Sequence, residues 1–279
     1  MLKTRIITAV VLLVVLLAVL FSGSQIAIQA LVALAFGATV WEAFRLFKYR
    51  GPVAIGIALV WTAAFAYTFY VHDGLAQARF WCALAAAIWL LRFLPSLKLG
   101  LPPLEGFGNT LLSMVYAVTL VSCFVAILVL LGRSAVYLLS SMAIVWVADI
   151  GAYFSGKAFG KRKLAPSISP GKSWEGAIGG WIAVLVLSAV TILAAPGVPL
   201  LQDTFAVRMQ AQLGWGTALA ALTVIVIASV VGDLFESQLK RRAGFKDSSS
   251  LLPGHGGVLD RVDALVPVLP IVALIGGWL

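Results

Sequence analysis

Five acids stand where an apolar chain can least easily hold them: Asp149 inside IVWVADIGAYFSGKAFG, Asp233 and Glu236 in VVGDLFESQLKRR, and Asp260 and Asp263 at the head of the last apolar run. An ionised side chain at mid-membrane costs roughly 2.5–3.5 kcal/mol on insertion scales, so each acid invites a functional reason. On a helix Asp233, Glu236, Ser237 and Lys240 fall at i, i+3, i+4 and i+7 and share one face; Asp260 and Asp263 are again i, i+3. If the two helices pack side by side across the short loop between them, the carboxylates converge beside Lys240 and Arg261. Hard oxygen ligands suit Mg²⁺ and adjacent cationic side chains suit phosphate, a combination that serves phosphoryl or nucleotidyl transfer. The plainer alternative is that the acids pair with neighbouring Lys and Arg at helix ends, and for Glu236 and Asp247 that alternative stays open.

Two loops carry the remaining candidates. SSSLLPGHGGVLD supplies hydroxyls, Gly254, Gly256, Gly257 and His255 just before the last helix. Its glycines could bring N–H groups close to an anion, and His255 could bind phosphate or shuttle a proton. A turn needing positive φ, capped by His255, explains the same residues. The second loop, GKAFGKRKLAPSISPGKSWEGAIGG, contains Gly171, Lys172 and Ser173 in the order that ends a P-loop, but the first glycine of that pattern would stand at Pro166, so a P-loop is excluded. What remains is a basic segment that turns into a helix at Ser173–Glu175 and could cradle polyphosphate through Lys172, Ser169, Ser173 and free N–H groups. A basic loop with a capped helix is the alternative.

The elements that position these groups are membrane spans. Of the 279 residues, 62% are hydrophobic and 11% charged, and the mean hydropathy is +1.04; soluble domains are about 45–50% apolar and 25% charged. The expected fold is all-α, a single polytopic domain over 1–279, with an N-terminal bundle to about 131 and the chemistry in 132–279. Nine spans are expected near Arg5–Phe21, Gln25–Phe44, Val53–Val71, Ala76–Phe93, Thr110–Leu131, Ala135–Phe154, Trp174–Ala195, Trp215–Phe235 and Val262–Leu279. With the N-terminus cytoplasmic, only Arg79, Arg133 and Arg208 fall outside, so the net charge of +9 reflects topology and nucleic acid is not expected as a partner. The N-terminus reads as an uncleaved first span. Pro196–Gly214 reads as an outer segment with a short amphipathic helix. Cys82 and Cys123 lie inside spans and read as packing residues.

Taken together, the loops resemble the bacterial phosphatidate cytidylyltransferases, or CDP-diacylglycerol synthases. That family's signature is met by Ser237, Leu239, Lys240, Arg241, Lys246, Asp247, Ser249, Leu252, Pro253, His255, Gly256, Gly257, Val258, Asp260, Arg261, Val262 and Asp263, and LAPSISPGKSWEGAIGG is similar to its Ser-Pro-x-Lys-Ser/Thr segment. The N-terminal half carries no matching motif. The resemblance implies a multi-pass enzyme of the cytoplasmic (inner) membrane, a homodimer, that turns CTP and phosphatidate into CDP-diacylglycerol and pyrophosphate. It implies Mg²⁺ and a second, monovalent cation such as K⁺. It further implies Asp233, Asp260 and Asp263 as metal-holding and catalytic residues with Lys240 near the phosphates. Substrate contacts are expected from Ser169, Lys172, Ser173, Ser237, Arg241, Lys246, His255, Gly256, Gly257 and Arg261, with Asp149 and Glu236 auxiliary. A CTP-dependent lipid kinase and a transporter using Asp149 and Asp233 as an ion path are the rival readings.

Overall fold

The computed structural model describes residues 2–72 and 74–276, with side chains from residue 7 onward. Its helices are α1 (Leu2–Phe21), α2 (Gln25–Leu46), α3 (Gly51–Ala66), α4 (Ala78–Ile88), α5 (Leu94–Leu99), α6 (Phe107–Arg133) and α7 (Ala135–Phe159), followed by a hairpin of β1 (Lys163–Ala165) and β2 (Ser169–Ser173), then α8 (Trp174–Ala194), α9 (Phe205–Ala243), α10 (Leu259–Val262) and α11 (Leu265–Gly276). Every expected span falls on helix. Seven helical stretches among the described residues are long and apolar enough to cross a membrane, and the apolar parts of the first and last, Ile7–Phe21 and Leu265–Gly276, are shorter. The end of the ninth expected span, 277–279, lies outside the described residues.

Prolines and glycines set several boundaries. Gly51 and Pro52 open α3, where the missing proline N–H costs no helix bond. Pro95 cannot donate to the carbonyl four residues back, and the turn before it, Trp89–Phe93, widens to π geometry on the way from α4 into α5. The segment after α8 forms two 3₁₀ turns, Ala195–Gly197 and Pro199–Asp203, before α9 begins. Gly214 (φ 76°, ψ 172°) breaks α9, so its first part is the short helix expected there. Beyond the break, α9 runs past the expected end at Phe235 to Ala243, because Lys240, Arg241 and Arg242 suit a helix C-terminus; Gly244, at φ 77°, stops it. At 1.5 Å per residue that part is about 43 Å long, against about 30 Å of hydrocarbon, so its basic end projects beyond the apolar layer.

The hairpin departs from the all-α expectation. Pro166 and Pro170 deny this segment a helix, and its backbone pairs antiparallel instead, Lys163 opposite Ser173 and Ala165 opposite Ser169. The core runs through α2, α4, α6, α9 and α11, with Phe93 stacked on Phe235 at 4.3 Å, Tyr116 beside them, and both free cysteines buried. The most extensive helix pair is α7 with α8, brought close by Gly151, Gly176 and Gly180; a Cβ at Gly180 would stand 2.4 Å from the Ala148 carbonyl oxygen.

Candidate active site

Ser173 links hairpin to helix: its Oγ accepts from the Gly176 N–H at 3.1 Å, capping α8 as its type and position predict. Glu175, in the first turn, accepts from the N–H groups of Lys161 and Arg162, both at 3.1 Å, and from Arg162 Nε at 3.0 Å. This carboxylate at a helix N-terminus pins the hairpin down and leaves Lys172 facing α9, where it forms an ion pair with Asp233.

On α9 the expected face is present. Ser237 Oγ donates to Asp233 at 3.3 Å, and Lys240 pairs with Glu236 one turn back. Lys240 also donates to Asp260 Oδ1 at 2.6 Å, tying α9 to α10. Glu236 is fully buried, and the Lys240 ammonium paired with its Oε2 is its compensating charge. Asp263 Oδ1 accepts from the Ala264 N–H at 2.7 Å, at the junction of α10 and α11.

Lys172, Asp233, Lys240, Asp260 and Asp263 line a cavity of about 680 Å³ bounded by α7, the hairpin, α8, α9 and α10. That is within the range of roughly 300–1,000 Å³ of ligand sites. Its walls carry Asp149, Asp233, Asp260 and Asp263 together with Lys172, Lys240 and Arg261, and Gly156, Gly176 and Gly180 line it where α7 and α8 approach closely. A polyanion meets cations here, and carboxylates stand ready for a cation that accompanies it.

A profile of the Cytidylyltransferase family matches residues 3–278. The chain belongs to this family. It is similar to the phosphatidate cytidylyltransferase of Haemophilus influenzae, 36% identical over 97% of this chain and 96% of that one. The same holds for that of Bacillus subtilis, 32% identical over 96% of this chain and 95% of that one. The phosphatidate cytidylyltransferase of Pseudomonas aeruginosa is 50% identical over a stretch covering 50% of this chain and 48% of that one. Membership makes the chain a nucleotidyltransferase, and the apolar helices make it a multi-pass membrane protein.

Within this cytidylyltransferase the expected site residues separate into two groups. Asp149, Ser169, Lys172, Ser173, Asp233, Lys240, Asp260, Arg261 and Asp263 line the cavity; Ser237, Glu236, Arg241, Lys246, His255, Gly256 and Gly257 do not. Glu236 and Ser237 act on cavity residues from behind, and Arg241 Nε donates to the Ile168 carbonyl of the hairpin at 3.4 Å. Lys246 is exposed. The glycine loop corrects an expectation. Gly257 N–H donates to Asp260 Oδ2 at 2.7 Å, and the Val258 and Leu259 N–H groups are taken by Glu42, so these three hold the loop together and are not offered to a phosphate. Gly256, at φ 80°, makes the tight turn that was the alternative reading, and His255 N–H closes it onto the Leu252 carbonyl at 2.8 Å.

Asp260 is likewise more heavily engaged than a simple metal ligand. Its Oδ2 accepts from Ser248 N–H at 2.9 Å, Ser248 Oγ at 2.8 Å and Gly257 N–H, while Oδ1 holds Lys240. Burial pushes its carboxyl up, but the Lys240 ammonium and these donors outweigh burial and hold it below the usual carboxylate range. Sequence reasoning missed Lys157 and Tyr153 in the wall, and Glu42 altogether. Glu42 carried the signal that singled out Asp149: a charge inside an apolar run, LVALAFGATVWEAF.

Proposed function

We propose that the chain transfers the cytidylyl group of CTP to phosphatidate, releasing pyrophosphate, at the cytoplasmic face of the inner membrane. The observation that carries this reading is the cavity itself, where Lys172, Lys240 and Arg261 meet Asp233 and Asp263 at the projecting end of an apolar bundle. There a lipid head group can meet a nucleotide while its acyl chains stay in the bilayer. The expected homodimer and a second, monovalent cation belong to the same reading and rest on the family resemblance, and the cytoplasmic N-terminus rests on the distribution of Lys and Arg along the chain.

Mg²⁺ fits the donor set. It binds through one or two carboxylates, keeps waters, and takes substrate phosphates as further ligands. Asp233 and Asp263 both line the cavity, while no three acids, histidines or cysteines among the described residues form a protein-only cage. We assign the ion to these two, and Asp260 to holding Lys240 and the loop. When bound, the ion supplies charge neutralisation on the phosphate oxygens.

A phosphatidate oxygen, already ionised at neutral pH, attacks the α-phosphorus of CTP. The new P–O bond forms as the bond to the β-phosphate oxygen breaks, and pyrophosphate leaves with that electron pair. No general base is required, so the chain's work is orientation and charge. Lys172 and Arg261 sit where they can hold the triphosphate, and Lys240, fixed between Glu236 and Asp260, keeps its ammonium at the wall.

The reading is tested with detergent-purified protein, phosphatidate, Mg²⁺ and CTP labelled on the α-phosphate. Label is expected in the lipid with equimolar pyrophosphate. CDP release with unlabelled lipid would instead make it a lipid kinase, and solute flux in liposomes without CTP would make it a transporter. Orientation is checked by thiol labelling of cells bearing Ser250→Cys or Leu200→Cys, both at exposed positions, while the native cysteines are buried. Position 200 is expected to react from outside and position 250 only after permeabilisation; the reverse would invert the topology.

A further inference from the structure

We infer that Glu42, on α2, is a positioning residue for the transfer reaction: it fastens the loop between α9 and α10 and, through Ser248, sets the Asp260 carboxylate that holds Lys240 at the cavity. The inference deepens the proposed function and rests on it for its activity readout.

Glu42 is fully buried near the end of an apolar helix. A carboxylate there is tolerable only if its oxygens are hydrogen-bonded or paired. Among the described residues it forms no ion pair, and its partners all come from one loop distant in sequence. Oε1 accepts from Ser249 Oγ at 2.5 Å and from Val258 N–H at 3.1 Å. Oε2 accepts from Ser248 Oγ at 3.0 Å and from Leu259 N–H at 2.6 Å. Both shoulders of the loop are thus drawn onto one side chain, and the N–H groups it takes are those that open α10. No space is left over, since a Cβ on Gly257 would stand 2.1 Å from Ser248 Oγ and 2.4 Å from the Glu42 oxygens.

Ser248 joins this anchor to the cavity, because its N–H and Oγ both reach Asp260 Oδ2. Its hydroxyl has one proton, so it serves one carboxylate at a time and the backbone N–H groups must satisfy the rest. The continuous path is Glu42, Ser248, Asp260, Lys240. The last turn of α2 and the turn after it hold the start of the loop as well: Arg45 Nη1 donates to the Ser248 carbonyl at 3.3 Å, and Lys48 lies 4.5 Å from the Phe245 ring centre. The N-terminal half, which carries no recognisable motif, is in this way the socket of the signature loop.

Glu42→Gln keeps size but points an NH₂ at groups that donate. In the full-length protein we expect amide exchange over 246–259 to accelerate at least several-fold with α6 unchanged, and kcat for cytidylyl transfer to fall roughly 10- to 100-fold, as for lost supporting contacts elsewhere, with KM for phosphatidate nearly constant. Ser249→Ala, which removes one donor, should show the same pattern more weakly and decides the matter if Glu42→Gln fails to insert. Wild-type exchange in the loop, or faster exchange with unaltered kcat, would overturn the inference. A wild-type protein that transfers no cytidylyl group would refute the functional reading instead, leaving the exchange data to judge the tether.

Discussion

Asp263→Asn is expected to lower kcat for cytidylyl transfer by roughly three orders of magnitude, about 4 kcal/mol of transition-state stabilisation, in a protein that inserts and unfolds like the parent. Asn keeps the volume, and its side-chain oxygen can still accept the Ala264 N–H, so the junction of α10 and α11 is preserved. What disappears is one negative charge on the cavity wall shared with Asp233. The loss should persist when Mg²⁺ is raised far above the parent's requirement, because a missing charge cannot be replaced by more cation. Turnover restored to near the parent value at saturating Mg²⁺ would remove Asp263 from the metal-holding role.

Lys240→Met should unfold the site as well as silence it. Lys240 is the group that compensates the fully buried Glu236, and it also holds Asp260. Removing one partner of a buried ion pair costs about 3–5 kcal/mol, whereas replacing both by neutral groups of similar size is often tolerated. A marked drop in thermal midpoint in detergent is therefore expected for Lys240→Met, and Glu236→Gln on that background should recover much of the stability. Activity should not return, since the ammonium facing the phosphates is still absent. Equal midpoints for the single and double variants would mean that Glu236 does not depend on Lys240; recovered turnover would take Lys240 out of the chemistry.

These two expectations were open to the sequence for different reasons. The face Asp233, Glu236, Ser237, Lys240 is a consequence of helical spacing alone, and the structure shows the contacts that such spacing permits. Ser173 was legible for the same reason, because a hydroxyl ahead of an apolar helix meets the free N–H three residues on. Asp260 was legible as a carboxylate of the site and was expected to hold metal, but its engagement by Ser248, Gly257 and Lys240 depends on a loop closing on itself. The hairpin was hidden because two prolines in a short polar stretch specify what the backbone cannot do and leave open how it pairs.

By itself, then, the sequence determined the helical, membrane-embedded class, the position of each apolar stretch, the acid-bearing face of α9 and the family signature. All of these follow from composition, from a fixed helical period, or from residues close together in the chain. Only the tertiary structure decided which donors the carboxylates receive. Glu42 meets Leu259 across 217 positions, Lys172 meets Asp233 across 61, and the glycine loop spends its N–H groups on Glu42 and Asp260. A buried charge must be satisfied by whatever donor packing brings to it, and no local spacing records which donor that will be.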